Sequence, residues 1–403
     1  MRRLEEVSMD SHGGGAAPKD DLNSLEVGGS NDQNHRESVP GRHGNRLDYY
    51  SVAVKIALVF VVIGLSYLVL NQSSYPSQLF QRSGVSSSSL NDSDSENWAS
   101  SLHHFASDSD DLPSFTKDEI NKLESTLKEA AMEDGKTVII TTLNAAWTEP
   151  NSIFDLFLES FKIGNHTLHL LDHVVVVALD ETAYARCMAV KLHCFALTTV
   201  GVDFTGEAHF MSEDYLKMMW RRIDFLRVVL QLGFNFVFTD ADVMWLRDPF
   251  PRFYPNADFQ IACDHYYDNL DSTDVGNSPN GGFNYVKSNK KTIKFYKFWY
   301  MGKDYFPGKH DQDVLNMIKM DPYVKDLQME MRFLKTAYFG GFCEPSKDLD
   351  LVVTMHANCC IGLDNKIHDI QMVIDDWKRY MQLRPTGERN SSTRSWTVPR
   401  RCY

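Results

Sequence analysis

The tightest constraint on the fold lies between Thr137 and Thr239, where short apolar runs alternate with amphipathic stretches. Thr137 to Leu143 (TVIITTL), His173 to Leu179 (HVVVVAL), Cys194 to Thr199 and Asn235 to Thr239 (NFVFT) read as strands, because β-branched and aromatic residues dominate them. A strand that is apolar along its whole length is buried on both faces, as in a parallel sheet covered by helices on two sides. The segments between supply those helices: Ser152 to Lys162, a stretch running through Met188, and Ser212 to Leu232. A further helix opens at the capping box Thr116-x-x-Glu119, aligns Ile120, Leu123, Leu127 and Ala130 on one face, and is closed by Gly135. The expected class is α/β, a Rossmann-like and mostly parallel sheet with helices on both faces. No repeat of solenoid period is visible.

Ahead of this region the character of the chain changes twice. Residues 1–51 are rich in Gly, Ser, Asn, Asp and Arg without apolar periodicity, the composition of a disordered tail. Residues 52–70 are then apolar apart from Lys55 and Ser66. At about 1.5 Å per residue such a helix reaches roughly 28 Å, close to the hydrocarbon thickness of a bilayer. Lys55 lies one turn inside, where its stem can carry the ammonium back to the headgroups. Arg36, Arg42, Arg46 and Lys55 crowd the N-terminal side, and no Lys or Arg follows until Arg82, so the N-terminus is expected in the cytosol. An apolar core placed behind so long a tail favours a retained signal-anchor over a cleaved signal peptide.

The expected layout is a cytosolic tail (1–51), a transmembrane signal-anchor (52–70), a flexible lumenal stem (71–115), an α/β domain (116–385) and a C-terminal tail (386–403). Four glycosylation sequons, at Asn71, Asn91, Asn165 and Asn390, all follow the apolar segment. The seven cysteines all lie from Cys187 onward, where a lumenal setting permits disulfides, and their odd number leaves at least one unpaired within a monomer. Against 41 Lys and Arg stand 54 Asp and Glu, a net charge of -13 that argues against nucleic acid as a partner. The lysines at 290, 294 and 297 share helical spacing around Phe295, Phe298 and Trp299, which reads as a solvated helix face over a buried one.

Asp-x-Asp occurs five times, and position separates the copies. Asp92/Asp94 and Asp108/Asp110 fall in the stem, Asp348/Asp350 in a polar turn, and Asp311/Asp313 beside Gln312. Asp240-Ala241-Asp242 follows the strand Phe236 to Thr239 directly, so both carboxylates emerge at the carboxyl end of a parallel strand, where open α/β sheets bind ligands. Hard oxygen ligands of this kind suit Mn²⁺ or Mg²⁺ shared with substrate phosphates. Gly281-Gly282 lets backbone approach a ligand closely.

Thr239 to Pro249 (TDADVMWLRDP), with Thr141 to Asn144, Gly281 to Asn289, His310 to Asn316 and His356 to Gly362, resembles the plant nucleotide-diphospho-sugar transferase family, glycosyltransferase family 77. The resemblance runs in order from about Thr137 to Trp377. It implies a GT-A fold, a UDP-sugar donor, Mn²⁺, retention at the anomeric carbon, and a cell-wall polysaccharide or glycoprotein acceptor. It also implies that His356 completes a metal site with Asp240 and Asp242, His368 being the alternative. Lys366 matches in spacing the lysine that the related glycogenin-like enzymes place on the diphosphate, and Arg222 is a second cation for that role. Thr142 and Asn144 fall where base and ribose lie in such a fold. Asp311, Gln312 and Asp313 offer acceptors and an amide to sugar hydroxyls, with Asp311 or Asp313 as front-face stabiliser. The expectation is a type II Golgi glycosyltransferase of arabinose, xylose or galactose type, and the rival is a catalytically silent scaffold or glycan-binding subunit of the same fold.

Overall fold

The computed structural model describes residues 115–197, 204–206, 211–383 and 395–402. The tail, the apolar segment at 52–70, the stem, and Asn71, Asn91 and Asn390 lie outside them. Among the described residues no helix is long and apolar enough to cross a membrane.

Seven strands form the main sheet: β1 (Thr137–Leu143), β2 (Val174–Ala178), β3 (His193–Ala196), β4 (Asn235–Thr239), β6 (Phe259–His265), β7 (Ser278–Val286) and β8 (Met331–Phe333). Their order is β3-β2-β1-β4-β7-β6-β8, and β7 alone runs against the others. A three-stranded sheet, β5-β10-β9, is built from β5 (Val243–Trp245), β9 (Phe339–Gly341) and β10 (Thr354–His356). The helices are α1 (Lys117–Ala130), α2 (Ile153–Ile163), α3 (Glu181–Ala189), α4 (Glu213–Gln231), α5 (Lys290–Tyr305), α6 (Asp311–Ile318), α7 (Pro322–Asp326) and α8 (Leu363–Gln382).

Alternation along the strands divides the core in two. Ile139, Val174, Val176 and Val237 pack with Phe154, Phe157 and Phe161 of α2 and with Ile370, Val373 and Trp377 of α8. Their neighbours Val138, Ile140, Val175, Val177, Phe236 and Phe238 pack on the other face with Leu123 and Leu127 of α1, with α4, and with Phe295, Phe298 and Trp299 of α5. Each central strand is thus apolar throughout because each face has its own core. The capping box at Thr116 and Glu119 forms, but α1 ends at Ala130 with Ala131 as its C-cap, and Gly135 instead takes φ +68° in the turn that follows.

Three disulfides form, Cys187–Cys194, Cys343–Cys359 and Cys360–Cys402, and Cys263 is a buried free thiol. Residues 395–402, within the segment read as a tail, are packed: Val398 and Cys402 are buried, and Thr397 donates its N–H to Asp376 on α8 at 2.6 Å. Of the sequon at Asn165, the asparagine is half-buried and Thr167 is buried, with its hydroxyl donated to Phe161 O at 2.7 Å.

Candidate active site

The carboxyl end of β4 opens into a cleft of about 770 Å³. Strand pairing explains why distant residues meet there. After Asp240-Ala241-Asp242 the chain enters β5, which pairs antiparallel with β10 in a register that sets His356 opposite Val243. The N–H of Ala357 donates to Asp242 O at 3.1 Å, closing the corner. His356 is therefore the last residue of β10, its Nε2 3.1 Å from Asp242 Oδ1 and 4.0 Å from Asp240 Oδ2.

Asp240, Asp242 and His356 each offer one ligand atom, and these lie within 4.8 Å of one another. Asp242 Oδ1 is buried, and its polar contact is His356 Nε2 at 3.1 Å. A buried carboxylate oxygen costs free energy unless something positive satisfies it, and two hard carboxylates with an imidazole fit a divalent cation such as Mn²⁺ or Mg²⁺. Gly282 completes the cradle: a Cβ there would sit 2.5 Å from His356 Cε1 and 2.6 Å from Asp240 Oδ2. Gly281 carries no such constraint, since its Cβ would meet nothing closer than 3.5 Å. A second group, Asp264 with Cys343 and Cys359, offers no thiolate because the two sulfurs are joined.

Electrostatics separate the two aspartates. Burial pushes Asp242 up, but Lys366, whose Nζ donates to Asp242 Oδ2 at 2.6 Å, and His356 hold it well below the usual carboxylate range. Burial pushes Asp240 up, helped by the charge on Asp242 and only partly opposed by Arg222. Burial alone would lower His356, yet Asp242 and Asp240 raise it. Lys366 lines the cleft, its Nζ 5.4 Å from the Trp147 ring centre.

Arg222 lines the cleft, as expected of a donor-side cation, but is already paired with two acids there. It is only 5% exposed, lies over the Phe238 ring, and donates to Asp240 Oδ1 at 2.9 Å and to Asp311 Oδ2 at 2.5 Å. It thus joins two acids of the cleft wall while itself lining the cleft. Asn144 lines the cleft but spends its amide hydrogens on Phe204 O and Gly206 O, both at 3.0 Å. Thr142 lines the same wall, beside Leu143 and Leu179.

Asp311 and Gln312 line the cleft; Asp313, with its side chain 40% exposed, does not, and it faces His310 Nε2 at 3.5 Å. The one-residue step from Gln312 turns it away around the first turn of α6. His368 also lies outside the cleft, its Nδ1 2.7 Å from Asp369 Oδ1, so it does not rival His356. The residue that the sequence did not reveal is Asp264. Its carboxylate accepts from the amides of Asn280 and Asn358 at 2.8 Å each and of Gln312 at 2.7 Å. The signal was present: Phe259 to Cys263 is another short apolar run, and Asp264 sits near its carboxyl end as Asp240 does after β4.

Residues 169–370 match the family model described as nucleotide-diphospho-sugar transferase. An uncharacterised protein of Arabidopsis thaliana is 53% identical over 287 residues, covering 71% of this chain and 75% of that protein. A second uncharacterised Arabidopsis thaliana protein is 43% identical over 267 residues, covering 65% of this chain and 79% of that one. A UDP-galactose:fucoside alpha-3-galactosyltransferase of Dictyostelium discoideum is 39% identical over 72 residues, 17% of this chain and 10% of that enzyme. With its α/β sheet, its acid-lined cleft at the carboxyl strand ends and this match, the chain is a glycosyltransferase belonging to the nucleotide-diphospho-sugar transferase family.

Proposed function

We propose that the chain transfers a sugar of arabinose, xylose or galactose type from a UDP-sugar to a cell-wall polysaccharide or glycoprotein acceptor, as a type II Golgi membrane enzyme dependent on Mn²⁺ or Mg²⁺. The observation that carries the metal-dependent reading is the convergence of Asp240, Asp242 and His356, whose ligand atoms lie within 4.8 Å of one another at the edge of the cleft. UDP as the nucleotide draws on the Dictyostelium relative, which by its name uses UDP-galactose. The membrane and Golgi assignment draws on the apolar segment at 52–70 and its basic flank.

Asp240, Asp242 and His356 would hold the cation, which when bound supplies positive charge to the diphosphate oxygens. Lys366 stands beside them to stabilise the leaving UDP as the bond from the anomeric carbon to the phosphate oxygen breaks. The acceptor hydroxyl oxygen forms the new bond at that carbon and passes its proton to the departing diphosphate oxygen, with retention of configuration. Asp311, held by Arg222, and Gln312, held by Asp264, face the cleft where the transferred sugar lies.

The test is a panel of UDP-arabinose, UDP-xylose and UDP-galactose incubated with the protein, with Mn²⁺, with Mg²⁺ and with chelator, following UDP release. The expected result is release from one preferred donor, abolished by the chelator. Absence of release and transfer from every donor with either metal would oppose the reading.

A further inference from the structure

Two buried carboxylates on α8 take no part in the chemistry above. Asp369 is fully buried, and its Oδ2 accepts three consecutive backbone N–H groups, those of Arg400, Arg401 and Cys402, at 2.7, 2.9 and 3.0 Å. Its Oδ1 meets His368 Nδ1 at 2.7 Å. Asp376, two turns further along, accepts the N–H of Thr397 at 2.6 Å and its hydroxyl at 3.0 Å. Buried carboxylates that receive backbone donors in this way fix a chain segment more firmly than apolar contact alone.

What the segment is fixed to matters more. Cys402 is disulfide-bonded to Cys360, and the adjacent Cys359 to Cys343. The vicinal cysteines are thus tied in two directions, one to the C-terminal segment and one to the stretch after β9. The loop they staple, from Asn358 to Gly362, lines the cleft along its length. It also joins the strand that carries His356 to the helix that carries Lys366, and Asn358 within it reaches Asp264. Cys359 holds φ +50°, a left-handed conformation that a non-glycine residue keeps when its surroundings fix it, whereas Gly362 takes φ +90° freely.

We infer that the C-terminal segment Thr397–Cys402 is a positioning element of the donor cleft, seated on α8 by Asp369 and Asp376, which through the Cys360–Cys402 disulfide holds the Asn358–Gly362 loop in place to receive the nucleotide diphosphate. The inference rests on the reading of the cleft as a UDP-sugar site. Its consequence is that Asp369, which touches no ligand, affects binding through the loop.

The experiment uses the full-length chain in detergent, as wild type, Asp369→Asn and the double variant Cys360→Ser with Cys402→Ser, with Thr116→Ala as a control that weakens the α1 cap away from the cleft. UDP binding is measured by calorimetry with saturating Mn²⁺, and amide hydrogen exchange is followed across the loop without ligand. The expected result is UDP affinity weakened roughly tenfold, the size usual for groups that support ligand contacts without making them. It comes with faster exchange over 358–362 in both cleft variants and with neither change in the control. Unaltered loop exchange in the variants overturns the inference, as does equal weakening in Thr116→Ala, which would mark a general loss of stability. A wild type that fails to bind UDP would sink the donor reading instead, while loop exchange still decides the positioning role.

Discussion

Gly282 passes so close beneath His356 that a methyl group on it would stand 2.5 Å from His356 Cε1. The glycine pair after Asn280 therefore has one constrained member. Gly282→Ala should displace the imidazole or Asp240 and weaken Mn²⁺-dependent UDP binding by about a hundredfold, as a misplacement of this size does at a reacting centre. Gly281→Ala, whose Cβ would meet Arg222 and Asp311 at 3.5 Å, should bind normally. Titration of both variants with UDP checks the contrast, and equal behaviour would show that closeness at 282 is not what selects glycine.

Arg222 joins Asp240 to Asp311, and both its charge and its fork are used. Arg222→Met takes the arginine from buried Asp311, leaving it His310 Nδ1 at 3.6 Å, and should lower stability by about 3–5 kcal/mol. Arg222→Lys keeps the charge but cannot bond both carboxylates in the same geometry, so it should fold while losing turnover by roughly tenfold or more. Melting temperature and initial rates, taken together, distinguish the two. A fully active Arg222→Lys would return the residue to the role of a simple cation.

Much of this was legible in the sequence, for physical reasons that differ by residue. Asp240 and Asp242 were readable because a strand end fixes where its next residues point, and α4 was readable because an amphipathic period runs between Ser212 and Leu232, which became its caps. His356 needed a resemblance, since nothing local says that β10 will pair with β5. The fates of Arg222, Asn144 and Asp313 were hidden because each depends on which neighbour arrives first to satisfy it: Asp240 and Asp311, the backbone of Phe204 and Gly206, and His310. Asp264 and the cysteine pairing depend on contacts between segments far apart in the chain.

Asp369 supplies a pH dependence with a definite sign. Burial would raise its carboxyl, but the N–H groups of Arg400, Cys402 and Arg401, with His368, bring it below its ordinary value. A carboxylate depressed in the folded state contributes stability that is present above its unfolded value of about 3.9 and is lost as the pH falls through the folded one. Wild type should therefore lose melting temperature more steeply than Asp369→Asn as pH drops below about 4. Parallel curves for the two proteins would mean that the carboxylate does not hold the segment by its charge.

Topology follows from the basic flank of 52–70. In sealed microsomes residues 71–403 should be protected from protease and the N-terminal tail digested, with a glycosidase-sensitive shift from at least one of Asn71, Asn91, Asn165 and Asn390. A digested C-terminus would reverse the orientation.

The central claim is that Asp240, Asp242 and His356 hold a divalent ion that in turn holds the donor diphosphate. Asp242→Asn removes a charged ligand while keeping its shape, and His356→Ala removes the imidazole. Calorimetric titration of UDP with and without Mn²⁺, on wild type and both variants, measures the claim most directly. The account predicts Mn²⁺-dependent UDP binding in the wild type and nearly metal-independent, weak binding in each variant with the fold intact; normal Mn²⁺ dependence in Asp242→Asn or His356→Ala would contradict it.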